Sequence, residues 1–167
     1  MQASGKSSST HSRNWKASDI VISNIPSMLT YLLGIWIVFH LGILIGILYI
    51  VFVLVELVLF MRFVCIYCPT YDSVHCPSGY GKVAAKLFKR GRVSEFRSMF
   101  NKFIPILSLV WIIPIIGAIL LLLNDFRFYY LGLLISFVIV GYVILPFFHR
   151  RFECRDCPNK QNCPWGK

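Results

Sequence analysis

Apolar residues run almost without a break over positions 20–64 and again over 104–148, and the polar residues gather outside these two blocks. A bilayer core is about 30 Å thick and a helix rises about 1.5 Å per residue, so one crossing takes about 20 residues. Each block is too long for one crossing and the right length for two. In the first block, His40-Leu41-Gly42 interrupts the run, which predicts helices over 20–39 and 42–64. In the second, Asn124-Asp125-Phe126-Arg127 does the same, which predicts helices over 104–123 and 128–148. The expected fold is an all-α membrane protein of four transmembrane helices, arranged as two helical hairpins.

Composition supports this reading. Hydrophobic residues make up 57% of the chain and charged residues only 14%, where a soluble domain carries about a quarter. A water-soluble core of this size could not hide so much apolar surface. Residues 1–19 are Ser-rich and basic, too long and too polar for the start of a cleaved signal peptide, so they are expected to form a disordered tail before a retained first helix.

Charge then sets an orientation. Lys6, Arg13 and Lys16 precede the first helix. Lys82, Lys86, Lys89, Arg90, Arg92, Arg97 and Lys102 lie between the hairpins, and Arg150, Arg151, Arg155, Lys160 and Lys167 follow the last helix. The two loops on the opposite side hold Arg127 alone. Basic residues near span ends stay on the cytoplasmic side, so both termini are expected there, in the plasma membrane. Within residues 83–103, Val93, Phe96, Met99, Phe100 and Phe103 form an apolar stripe beside Arg92, Arg97 and Lys102. This pattern predicts an interfacial amphipathic helix, broken at Gly91 and held by anionic lipid of the cytoplasmic leaflet. Lipid and topology account for the net charge of +10, and no nucleic-acid partner is expected.

The chain also repeats itself. Arg62-Phe63-Val64-Cys65-Ile66-Tyr67-Cys68-Pro69 matches Arg151-Phe152-Glu153-Cys154-Arg155-Asp156-Cys157-Pro158 at a spacing of 89 residues. With seven residues between in the first copy and five in the second, Cys68 and Cys157 are each followed by a second Cys-Pro pair, at Cys76-Pro77 and Cys163-Pro164. Each hairpin thus ends in a three-cysteine module, over residues 65–82 and 149–167. Two spans per half make the repeat parallel, which places the modules side by side on the cytoplasmic face.

Three chemistries compete for Cys65, Cys68, Cys76, Cys154, Cys157 and Cys163. Structural disulfides fit poorly with a reducing compartment. Zinc takes thiolates at C-x-x-C spacing but closes four-coordinate sites, and each module holds three cysteines. His75 is a possible extra ligand for the first module; the second has Glu153, Asp156 and His149 nearby. An iron–sulfur cluster takes thiolates at the same spacing, and proline directly after a ligand cysteine recurs in ferredoxins. Proline follows Cys68, Cys76, Cys157 and Cys163 here.

At the end of a helical hairpin, Cys65-Ile66-Tyr67-Cys68-Pro69 with Cys76-Pro77-Ser78-Gly79 resembles the four-helix membrane ferredoxins associated with quinol oxidation. The pattern is also similar to small cysteine-rich membrane proteins of anaerobes. The resemblance covers the cysteine–proline motifs and the helix count. It implies cluster ligation at helix ends on the cytoplasmic side, and quinol chemistry is not carried over with it.

Inside the spans, Glu56 is the one acidic residue, about 13 Å along the helix from Cys65. An intramembrane carboxyl points to a proton or ion role, unless it is a neutral acid bonded to Ser108, Ser136 or a carbonyl. His40, at the external turn, and His149, at the cytoplasmic end of the fourth helix, are expected on opposite faces of the membrane and cannot share a haem. No phosphate loop, nucleophile triad or dinucleotide motif is present, so an independent enzyme is not expected. The expectation is an iron–sulfur metalloprotein acting in electron transfer or redox sensing, as a subunit or accessory of a larger membrane redox complex. A zinc-stabilised assembly or adaptor protein and an oxygen-responsive thiol switch are the alternatives.

Overall fold

The computed structural model describes residues 14–155 and 157. Helix α1 spans Ala17–Phe39, α2 Ile43–Phe63, α3 Tyr80–Leu87, α4 Phe96–Asn124 and α5 Phe128–Val138. The chain continues from α5 through a π-helical stretch, Ile139–Ile144, then α6 at Leu145–Phe148, then a second π-helical stretch, His149–Glu153. No strand occurs among the described residues. Four helical segments are long and apolar enough to cross a membrane: Ala17–Phe39, Ile43–Tyr67, Val93–Asn124 and Phe128–Glu153. Their outward faces carry large apolar side chains, among them Leu44 at 70% and Leu48 at 60% exposure, which hydrocarbon covers and water would not.

The first turn falls where the sequence predicts it. Three successive tight bonds, His40 N–H to Ile37 O, Leu41 N–H to Val38 O and Gly42 N–H to Phe39 O, close the end of α1. Gly42 then takes φ 149°, a region open to glycine, and α2 starts at once. Beside this turn, the Trp36 indole N–H donates to the Tyr129 hydroxyl at 2.7 Å, and the His40 ring packs on Trp36, Tyr129 and Tyr130. This cluster of amphipathic rings is suited to a membrane interface.

Helix α1 is the centre of the bundle and touches α2, α4, α5 and the segments beyond α5. Its buried stripe is Ser23, Pro26, Thr30, Gly34, Ile37 and Val38. At Gly34 a Cβ would lie 3.0 Å from the Pro114 ring, 3.0 Å from the Tyr49 hydroxyl and 3.3 Å from Phe137. Four helices therefore meet at one residue without a side chain, as close packing in lipid favours. Pro114 has a second effect. It lacks the N–H that would bond the carbonyl of Val110, four residues earlier. The Tyr49 hydroxyl supplies the missing donor, at 2.7 Å from Val110 O.

The segment between the hairpins departs from the sequence reading. The break expected at Gly91 is present, but the second piece is not a separate surface helix. Helix α3 ends at Leu87, residues 88–92 are non-helical, and a 3₁₀ turn at Val93–Glu95 leads into a helix that runs unbroken from Phe96 to Asn124. The stripe residues Phe96, Phe100 and Phe103 are buried against Val64, Leu59, Phe60 and Tyr67, so this face packs on protein and not on lipid. Arg97 and Lys102 lie on the exposed side of the same helix, so charge ends the apolar run without ending the helix. Gly91 acts as a seat: a Cβ there would lie 2.5 Å from the Tyr67 ring, and its N–H donates to Ile66 O at 3.0 Å.

Candidate functional site

Helix α2 loosens after Phe63 into a single 3₁₀ turn, Cys65–Tyr67, and the chain then folds through a series of tight turns. The Tyr71 N–H bonds Cys68 O at 3.1 Å, the Ser73 N–H bonds Thr70 O at 3.2 Å and the Gly79 N–H bonds Cys76 O at 3.3 Å. Gly79, at φ 74°, turns the chain into α3 directly against Ile20 of α1. The coil holds Cys65 and Cys76 buried and Cys68 half-buried, and Cys65 lies within electrostatic reach of both others.

Hydrogen-bond donors surround these sulfurs. The backbone N–H of Gly81 donates to Cys76 Sγ at 3.4 Å, the Ser78 hydroxyl lies 3.7 Å from the same sulfur, and the Thr70 hydroxyl lies 3.1 Å from Cys68 Sγ. Such groups stabilise a thiolate or a metal-bound sulfur. Gly81 cannot carry a side chain, since a Cβ would lie 2.7 Å from Thr70 O. His75 is half-buried on the same coil, and its backbone N–H donates to the Ser73 hydroxyl at 3.1 Å.

The second module begins where the last π-helical stretch ends. Cys154 is buried and its N–H bonds His149 O at 2.9 Å; Cys157 is half-buried. Cys163 and Asp156 lie outside the described residues. Glu153 is buried, and its Oε2 is 3.0 Å from His149 Nδ1.

Both modules meet the start of α1. The Trp15 N–H bonds Val74 O at 3.0 Å, and the Asn24 side-chain amide bonds Ser78 O at 3.1 Å, which ties the first module to α1. On the other side of α1, a cleft of about 180 Å³ is lined by Trp15, Asp19, Ser23, Phe148 and Phe152, at the entry to the second module. Tyr80 opens α3 beside the first module. Its hydroxyl is held above the ordinary tyrosine range, first by burial and then by Cys65, Glu153, Glu56 and Cys76. It therefore stays a neutral donor and acceptor among the thiols and carboxyls of both modules.

These cysteines are neighbours, not an assembled ligand shell. Among the described residues, no group of three or more His, Cys, Asp and Glu stands close enough to hold a metal ion.

Glu56 occupies a core position of α2, in line with Tyr49, Val53 and Phe60, and is only 1% exposed. Neither carboxyl oxygen has a hydrogen-bond partner. The expected partners are engaged or remote. The Ser108 hydroxyl donates to Ile104 O at 2.9 Å, and Ser136 is exposed. Around the carboxyl stand tyrosines: Tyr31, Tyr49 and Tyr80 all lie within its electrostatic reach. Sequence reasoning missed all three as site residues. Tyr49 was legible in principle, since it shares the heptad-like stripe of Glu56; Tyr80, in a turn-rich coil, carries no periodic signal.

Comparisons with protein-family models, with curated proteins and with solved structures gave no match to this chain.

Proposed function

We propose that the chain is a membrane-embedded metalloprotein of the iron–sulfur type, acting in electron transfer or redox sensing as a subunit or accessory of a larger membrane redox complex. In this reading the two hairpins are a parallel repeat, with both modules on the cytoplasmic side of the plasma membrane and anionic lipid beside the basic residues. The observation that carries it is the corner holding Cys65, Cys68 and Cys76, where the Gly81 N–H and the Thr70 and Ser78 hydroxyls lie on sulfur. Thiolate ligands with amide and hydroxyl donors around them are the surroundings that tune a cluster. Loading would draw the three sulfurs closer. Zinc, with His75 as a further ligand, is the competing occupant, and an empty thiol switch the third.

The two modules give the test. In protein purified without oxygen, Cys65→Ser is expected to lower bound iron, and Cys154→Ser likewise. If the modules hold separate clusters, each change removes about half of the iron; if they pool ligands, either change removes nearly all. Iron content unchanged in both variants contradicts the reading.

A further inference from the structure

The unpartnered carboxyl in the bundle core is not used by a thiolate site. Burying a carboxyl without a hydrogen bond is costly, and burying it ionised and unpaired costs far more. The described residues offer it no cation: no Lys, Arg or His pairs with Glu56, and both its oxygens lack partners. The titratable groups that feel its charge are Tyr31 from α1, Tyr49 from α2 and Tyr80 from α3. Helix α4 meets the neighbouring turn of α2, at Leu59 and Phe60, with apolar side chains.

A tyrosine from the cysteine-bearing end packs on the helix that carries this carboxyl. The Tyr80 ring packs on Phe60, one helical turn beyond Glu56, with centroids 6.2 Å apart. We propose that Glu56 is an exchangeable proton-binding site inside the bundle, served from the cysteine-bearing end by way of Tyr80.

The ligand is a proton because nothing else fits the oxygens present. A metal cation needs a shell of several oxygens. The Tyr49 hydroxyl, on the same helix face, is turned to Val110 O. A proton needs the carboxyl alone, and binding it removes the buried charge. A tyrosine hydroxyl both donates and accepts, so Tyr80 can hand a proton on without ionising. This inference rests on Glu56 and Tyr80 and holds whether or not a cluster is bound.

Infrared difference spectroscopy on the full chain in lipid tests it. Spectra at low and high pH are expected to show a protonated-carboxyl band that disappears as pH rises and is absent in Glu56→Gln. Sodium or potassium chloride at fixed pH should leave the band unchanged. On transfer to D₂O the band shifts, and that shift is expected to be slower in Tyr80→Phe than in the parent protein. A spectrum with no titrating band assignable to Glu56 overturns the site. Loss of the band on adding sodium or potassium replaces the proton by a metal cation and overturns the ligand. Equal exchange rates with and without the Tyr80 hydroxyl overturn the route.

Discussion

Glu56→Leu is expected to make the protein more stable, by about 1–3 kcal/mol in thermal or denaturant unfolding in detergent. The side chain is 1% exposed, sits in the core stripe of α2 and leaves both oxygens without partners. Leucine has a similar volume and needs no partner, so the change removes a desolvation cost and keeps the packing. Few core substitutions stabilise a natural protein, and those that do tend to lie where function has been favoured over stability. A loss of stability in Glu56→Leu would mean that the carboxyl makes a favourable contact in the native protein, and would contradict the account of it as an orphaned group.

Tyr49→Phe has the opposite sign. Its hydroxyl is the donor for the Val110 carbonyl that Pro114 leaves free. Removing it strands a buried carbonyl where no water reaches, and a loss of about 1–2 kcal/mol is expected. Pro114→Ala restores an N–H to the helix, so in that background Tyr49→Phe should cost clearly less. A double-mutant cycle reads the difference; additive effects would show that the proline and the tyrosine are not coupled.

These two residues mark what the sequence makes legible. The four spans and the turn at Gly42 follow from hydropathy and glycine, because lipid demands long apolar helices and no tertiary contact is needed to recognise them. The Phe96–Phe103 stripe is visible as amphipathic, yet its partner is not. Whether an apolar face meets lipid or another helix depends on where α2 ends in space, which periodicity does not encode. Glu56 stands out by its chemistry, while its surroundings depend on Tyr31 and Tyr80 arriving from α1 and α3. The bond from Tyr49 to Val110 joins positions 61 residues apart and has a local cause only at Pro114. The cysteine modules were legible as a repeat, and the donors on their sulfurs were not, since Thr70, Ser78 and Gly81 reach them only after the coil closes.

The same reasoning explains why the metal question is decided by composition and not by shape. The coil of residues 65–81 brings thiols and donors together, and both iron–sulfur and zinc sites use those groups. Elemental and acid-labile sulfide analysis of the full chain, purified without oxygen, tests the central claim most directly. Iron and sulfide in comparable amounts, a brown protein, and bleaching in air as sulfide and thiolates oxidise are the expected result. Stoichiometric zinc without iron, or neither metal, would contradict it.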